Sequence, residues 1–412
     1  MNTHRLVSLS LLLWAASVMA VNGAELAPSP AVMTATTTAI AAPAVIPAPA
    51  LEQADSRRFN SLSDAAFFYL GLAQRQQWKA MPRGPLLKVG DRHPHIPQLR
   101  QLLTLYGDYA AEQNSDLLLF DSSLKQALIG FQTRHGAKAD GILGPQTRAI
   151  LNISPRHRAY QIALNLERQA TFSGRHQSRY IQVNIPEYRL RYFDQGSLVL
   201  AMKTIIGRRT RQTPVLESQI RSVVINPSWN VPRSIAYKDI LPRWREDDEY
   251  LQKHNLKVVS GWAGSWQEYP AEQVDQGKLY RGKEYLRFYQ PPGDSNALGR
   301  VKFMFPNPHA VYLHDTPKRS LFAEANRAFS SGCIRLEKPL VLAQTLMNQS
   351  PAINGSILDY WLNEKRTKQI RLKEPVPLYL TYWTAWLDQD QVLHFGEDVY
   401  RQDRLEASSK ML

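Results

Sequence analysis

Across 412 residues, Lys and Arg outnumber Asp and Glu by 50 to 36, giving a formal charge of +14 at neutral pH, and there is one cysteine, Cys333. A single thiol excludes an internal disulfide framework and any cysteine-rich metal site. The positive charge is spread along the chain instead of gathered in a tail, and such a field concentrates polyanions.

The N-terminus reads as an export signal. Arg5 precedes an apolar run from Leu6 to Val18, and small residues follow in Val18-Met19-Ala20, so residues 1–20 have the order of a secretory signal and are too short for a comfortable membrane span. An uncleaved N-terminal anchor is the alternative, and either form places the rest of the chain outside the cytoplasm. Nucleic acid is then out of reach, the carboxylate-rich cell wall is the polyanion that remains, and chemistry must run without ATP. Residues 21–54 read as an extended Ala/Pro-rich tether, because Glu25 to Ala50 is almost wholly Ala, Pro, Thr and Val and cannot bury a core.

Helical spacing follows. Leu62, Ala65, Ala66, Tyr69, Leu70 and Leu72 recur with a helical period after the cap candidates Ser61 and Ser63, and a second helix, Ala159 to Ala170, follows Pro155. These segments, 55–88 and 153–175, are expected to form a helical scaffold bracketing a compact module at 89–152. That module reads as three helices. The first carries Ile96, Leu99, Leu102, Leu103 and Tyr106; the second is capped by Asp121 or Ser122, carries Leu124, Ala127, Leu128 and Phe131, and stops at Gly136 in a left-handed C-cap. The third starts at Pro145 after a tight turn.

After Gly174 the period switches to two. Tyr180–Ile185, Tyr188–Phe193, a turn at Asp194–Ser197, and Leu198–Ile206 read as consecutive strands, with further strands at Ser222–Ile225 and Ala310–Leu313. Between Pro232 and Tyr289 the pattern breaks, and Trp244, Trp262 and Trp266 interleave with charged residues. So long a connection, rich in aromatics, reads as an inserted flap at about 233–289. Residues 371–412 are expected to form a C-terminal β-hairpin and tail packing on the scaffold or the sheet domain.

Cys333 lies in Ser330-Ser331-Gly332-Cys333-Ile334-Arg335, nineteen positions after His314 in Val311-Tyr312-Leu313-His314-Asp315. It is either a buried small hydrophobe or a nucleophile. As a nucleophile it needs an imidazole to take its proton, since an ordinary thiol is only a few per cent thiolate at neutral pH. A long hairpin-like connection from Thr316 to Ser330 is expected to bring the two together. Gly332 opens backbone conformations that aim N–H groups at an oxyanion. Asp315 is a poor orienter for His314, since adjacent strand side chains point to opposite faces, so a backbone carbonyl is expected there. Zinc on His309, His314 and Cys333 lacks the ligands of a recognisable set, and no metal or cofactor is expected.

Phe131-Gln132 with Asp140-Gly141, Gly144-Pro145 and Thr147 resembles the type 1 peptidoglycan-binding repeat. Tyr289-Gln290-Pro291-Pro292-Gly293, Asn296-Ala297-Leu298-Gly299, Phe303–Phe305, His314-Asp315-Thr316-Pro317 and the Ser330–Arg335 stretch resemble the YkuD-type L,D-transpeptidase catalytic domain, closest to its large periplasmic YcbB-like members. The resemblance implies a multidomain α+β protein: a mostly β catalytic domain at 178–370 with an inserted flap, the helical scaffold and the three-helix module. It implies a periplasmic enzyme that joins peptidoglycan stem tetrapeptides, as donor and acceptor, into 3-3 cross-links through a cysteine thioester, a carbapenem target working beside wall synthases. In that scheme Cys333 is the nucleophile, His314 moves the proton, the Gly332 and Cys333 backbone amides help bind the oxyanion, and Arg335, Ser331 and Tyr312 contact substrate. Ser331 replaces a histidine found in many smaller members. An L,D-carboxypeptidase, a wall-protein attachment enzyme using the same thioester, or a non-catalytic wall-binding scaffold are the alternatives.

Overall fold

The computed structural model describes residues 57–75, 77–110, 116–261, 265–282, 285–347 and 355–403. The expected signal and tether, and Trp262, lie outside the described residues. None of the described helices is long and apolar enough to cross a membrane. The described residues form two compact units, one from 57–135 with 139–171 and 385–395, the other from 136–138, 172–384 and 396–403.

In the first unit, the helix Leu62–Gln74 starts where Ser61 Oγ accepts from Asp64 N–H at 3.1 Å, and Pro155–Ala170 starts where Ser154 Oγ accepts from His157 N–H at 3.3 Å. Each side chain takes up a donor that the first turn of a helix leaves unpaired. Three further helices, Ile96–Leu105, Ser122–Arg134 and Pro145–Leu151, follow the expected boundaries, with Asp121 as the cap of the second and Gly136 at φ +65° just beyond its end. The Phe-Gln…Asp-Gly…Thr motif has a structural reason. Buried Gln132 donates through Nε2 to Asp140 Oδ1, Ile142 O and Thr147 Oγ1 at 3.0–3.2 Å, and its Oε1 accepts from Gly141 N–H at 2.8 Å.

Within the segment 371–412, where a hairpin was expected, the hairpin occupies residues 385–395. The hairpin Ala385–Leu387 with Leu393–Phe395 belongs to the helical unit, where the Phe395 ring sits 5.6 Å from Tyr69 and 5.2 Å from His135 with the Arg158 guanidinium 4.3 Å above it. The strand preceding the hairpin is part of the large sheet of the second unit. An aromatic seat in one unit and a β-pairing edge in the other divide this stretch, and neither partner is near it in sequence.

Among the described residues the second unit has thirteen strands, labelled in chain order. β1 (Tyr180–Asn184), β2 (Arg189–Asp194), β3 (Ser197–Gly207), β4 (Leu216–Ile225), β9 (Val301–Met304), β10 (Leu313–His314), β11 (Ala328–Ser330), β12 (Ile334–Leu336) and β13 (Lys368–Thr381) form one sheet in the order β11-β3-β12-β10-β9-β4-β13-β1-β2, and a β2–β3 pairing closes it on itself. Most neighbours are antiparallel, but β1–β13, β10–β12 and β11–β3 are parallel. The sheet therefore runs past residue 370, as far as Thr381. Its core holds Val183, Leu190, Met202, Val223, Phe303, Leu313, Ile334 and Leu378, together with Leu342 and Leu346 of the helix Pro339–Met347.

Where a flap was expected, the chain makes a small folded lobe. β5 (Trp229–Asn230), β6 (Lys257–Ser260), β7 (Gln267–Tyr269) and β8 (Arg287–Gln290) form an antiparallel sheet in the order β5-β8-β6-β7. Short helical turns across 233–246 cover it, including a π-turn at Ala236–Ile240. The aromatic residues that broke the strand pattern are its core, with Trp244 edge-on to Phe288 at 6.0 Å and Leu241, Leu251 and Val258 around them.

Candidate active site

Three neighbouring strands bring the motif residues to one face. β9 and β10 set Lys302 opposite His314, and β10 and β12 set His314 opposite Arg335. The same register, carried one step back, puts Tyr312 beside Cys333, and Ile334 N–H donates to Tyr312 O at 3.0 Å. Because side chains alternate along a strand, Lys302, Tyr312, His314, Cys333 and Arg335 share one face, while Phe303, Leu313 and Ile334 enter the core on the other. Two residues of rise and one strand spacing place the His314 and Cys333 Cα atoms about 8 Å apart on the diagonal, within side-chain reach.

Two expectations about this region change. The Thr316–Ser330 connection is a crossover, because β10 and β12 run parallel and a tight hairpin cannot join parallel strands. The strand expected over Ala310–Leu313 is shifted to Leu313–His314, since Ala310 adopts φ +52°.

His314 is buried, and its Nδ1 lies 2.5 Å from the Asp315 backbone oxygen. A carbonyl only accepts, so Nδ1 carries the proton and Nε2 keeps its lone pair. This is the backbone orienter that the sequence suggested. The Asp315 carboxylate is engaged elsewhere, accepting from Arg300 N–H at 2.9 Å and pairing with Arg319 at 3.1 Å.

Burial first, then the Arg335 cation, with Lys302 adding to it, push the His314 imidazole down to about 3, against the Asp315 hydrogen bond that favours its protonated form. Burial likewise raises the Cys333 thiol, although hydrogen bonds from the Tyr312 backbone and hydroxyl and the charges of Lys302 and Arg335 pull the other way. The resting site is thus neutral imidazole beside neutral thiol, the arrangement of a general base and not of a preformed ion pair.

Two cations border the pair. Lys302, lowered by burial, holds its Nζ 3.8 Å above the Tyr312 ring. Arg335 is also lowered by burial, and its Nε is buried with no hydrogen-bond partner among the described residues. An orphaned buried guanidinium nitrogen is costly unless a ligand completes it. The Tyr312 hydroxyl, raised by burial, contacts Cys333 and accepts from Trp229 of the lobe.

The loop before Cys333 is braced from within. Gly332 adopts φ +117°, a conformation that residues with a Cβ rarely take. Its N–H donates to Ser330 Oγ at 3.1 Å, and Ser330 Oγ donates to Cys333 O at 2.5 Å. The Gly332 N–H, one of the two amides expected to face an oxyanion, thus has a local acceptor in this structure. Thr213 Oγ1 donates to Gly332 O at 2.8 Å and accepts from Gly207 N–H at 2.9 Å, and the Tyr400 hydroxyl accepts from Thr213 N–H at 3.0 Å. Ser331 has a different environment from the substrate contact expected of it. Its hydroxyl accepts from Arg208 Nη2 at 3.1 Å and Arg211 Nη1 at 2.9 Å.

Lys302, Thr213, Arg208, Arg211 and Trp229 were not foreseen as part of this site. Lys302 had a signal, being the one charged residue in the apolar strand Val301–Met304; the others reach the site through long-range contacts with no local mark.

Residues 178–354 match the family model described as the L,D-transpeptidase catalytic domain (YkuD), and residues 92–151 match one described as "Putative peptidoglycan binding domain". The chain therefore carries one segment similar to each of these two families. A "Putative L,D-transpeptidase" of Haemophilus influenzae is 36% identical over 251 residues, covering 59% of this chain and 48% of that protein, so the chain spans about half the length of that relative. Among solved structures, an L,D-transpeptidase from Stackebrandtia nassauensis is 12% identical over 74% of this chain and 97% of its own, with a TM-score of 0.25. One from Xylanimonas cellulosilytica is 12% identical over 73% and 98%, with a TM-score of 0.20. At these scores the superpositions place no individual residue.

Proposed function

We propose that this protein is an exported L,D-transpeptidase that joins two peptidoglycan stems by a 3-3 cross-link through a thioester on Cys333. One observation supports the reading above others: inside the matched catalytic domain, a half-buried thiol and an imidazole with its Nδ1–H tied down share one face of the sheet, flanked by two half-buried cations.

In the first half-reaction, the sulfur attacks the carbonyl of the third stem residue, meso-diaminopimelate, as His314 Nε2 takes the thiol proton. The C–S bond forms, the bond to the terminal D-alanine breaks, and the imidazolium returns its proton to the departing amine. The Cys333 N–H stabilises the developing oxyanion, and the Lys302 and Arg335 charges favour a negatively charged transition state in a site screened from water. In the second half-reaction, an acceptor amine gives its proton to His314 and attacks the thioester, and the thiolate leaves and is reprotonated. The broken peptide bond supplies the energy, so no ATP is consumed. The peptidoglycan-binding module and the +14 charge hold the enzyme near its carboxylate-rich substrate in the periplasm.

Incubation with a carbapenem, followed by intact-protein mass spectrometry, tests the nucleophile. The expected outcome is one stable adduct that Cys333→Ala abolishes, and absence of an adduct on folded protein sinks the reading. Muropeptide analysis then separates the reactions: 3-3 dimers mark transpeptidation, whereas tripeptide monomers alone mark a carboxypeptidase.

A further inference from the structure

Ser331 is two residues from the nucleophile, and what it touches is unlike the rest of the site. Arg208 and Arg211, in the turn after β3, both donate to its hydroxyl, and both are also paired with Asp239. Arg208 Nη2 lies 3.2 Å and Arg211 Nη2 3.3 Å from Asp239 Oδ1, and Arg211 Nη1 meets Asp239 Oδ2. Asp239 belongs to the lobe, on its π-turn, a local irregularity that recurs at functional sites. One carboxylate is thus clamped in a two-arginine fork beside the catalytic loop.

We propose that this fork is the receptor for the free carboxylate of the donor's terminal D-alanine, and that Asp239 is an internal stand-in which the substrate displaces. The inference rests on the acyl-transfer reading of Cys333. Three observations carry it. Two guanidinium groups face one carboxylate, which leaves an excess positive charge and a geometry suited to bidentate carboxylate binding. The Arg208 Nε is buried with no hydrogen-bond partner among the described residues, so Asp239 does not exhaust the fork.

The third observation is spacing. The turn that carries the arginines lies directly on the catalytic loop: Arg208 N–H donates to Ser330 O at 2.9 Å, and the Gln212 oxygen is 3.5 Å from where a Gly332 side chain would start. Two residues of chain span at most about 7 Å, and in the donor a single residue separates the attacked carbonyl from the terminal carboxylate. An anion receptor at Ser331 therefore suits a substrate whose carbonyl sits at Cys333. While Asp239 occupies the fork, the lobe is pinned to the catalytic loop; a donor that takes the fork releases it.

The test uses the full chain with Cys333→Ala, so that binding is read without turnover. The probes are a stem tetrapeptide ending in a free D-alanine carboxylate and the same peptide ending in a carboxamide, measured by calorimetry. Asp239→Asn is expected to tighten the acid peptide roughly tenfold, the scale of a charge-assisted hydrogen bond no longer contested, and to leave the amide unchanged. Arg211→Gln and Arg208→Gln are each expected to weaken the acid peptide by a similar factor and again to leave the amide unchanged. The arginine variants make the same comparison without altering the lobe, should Asp239→Asn fail to fold. Equal shifts for acid and amide, no shift in any variant, or no binding of the acid peptide overturns the proposal. Failure of the acyl-transfer reading shows separately, as wild-type protein that releases no D-alanine and takes no carbapenem.

Discussion

Gln132 in the helical unit and Arg335 in the sheet unit are both polar side chains withdrawn from water, and their surroundings treat them oppositely. Gln132 donates to three oxygens and accepts from an amide, so it fixes the turn at Asp140–Gly141 to the helix Ser122–Arg134 and to Thr147. Arg335 has an orphaned Nε, and around it a lysine is lowered, a thiol is raised and an imidazole is held neutral. A polar group whose hydrogen bonds are completed inside the fold stabilises it, whereas one left incomplete beside perturbed titratable groups marks a place where something else must bind. Both lie in segments that match family models, yet the first completes its hydrogen bonds within the fold and the second does not.

The sharpest way to break that contrast is to remove the base. His314→Ala should lower turnover on the order of 10²–10⁴-fold, the range of general acid–base catalysis, with an unchanged melting profile. A loss of less than tenfold in D-alanine release would mean that the proton leaves Cys333 by another route. Next in size is the helical unit. Gln132→Leu strands the Gly141 N–H and should destabilise the protein by about 1–3 kcal/mol in denaturant melts, while carbapenem acylation of Cys333 keeps its rate. If acylation fell and stability did not, Gln132 would have to be moved to the functional side of the comparison.

How legible these two sites were follows from the range of the forces that build them. The helices of the first unit were readable because caps and periodicity are local: Ser61, Ser154, Asp121 and Gly136 act within a few residues of themselves. Cys333 and His314 stood out by residue type and spacing, and the orienting carbonyl followed from strand alternation. What stayed hidden depends on pairing between distant strands. Nothing near Thr316–Ser330 says that β10 and β12 are parallel, and β13 shows its place in the sheet only through β1 and β4. The lobe was hidden because its aromatic residues break the strand pattern without showing what they pack against, and Trp244 and Phe288 turn out to form its core. The Ser330 side-chain turn that takes up the Gly332 N–H has no mark in the sequence either.

Smaller effects sharpen the contrast by their sign. Arg335→Met removes a buried cation that has lost its hydration, so melting temperature should hold or rise slightly while turnover falls, the reverse of the Gln132 variant. A drop in both would give Arg335 a structural partner that the fold does not show. Acid sensitivity is the next test. A histidine takes its proton near pH 6.5 when unfolded, but the folded His314 resists until about 3, so between those values the unfolded state binds more protons and stability falls as pH drops. His314→Gln should flatten that part of the stability–pH curve. The buried His135 of the helical unit, also lowered by burial, leaves a residual slope of the same sign.

The last expectation is of no effect at all, and it separates two mechanisms. If Cys333 and His314 rested as a thiolate–imidazolium pair, the thiol would be alkylated rapidly at neutral pH and replacing the histidine would slow it. With both groups neutral at rest, the thiolate fraction is set by burial and by the nearby cations, and His314 contributes nothing to it until an acyl donor arrives. Iodoacetamide should therefore modify Cys333 slowly at pH 7, with a rate that climbs through alkaline pH and shows no step near 6.5, and His314→Gln should leave that rate unchanged. Equal alkylation rates combined with a large loss of turnover would show that the imidazole acts only in the transition state. A slowed alkylation would restore the ion pair and move the site's proton from sulfur to nitrogen before substrate binds.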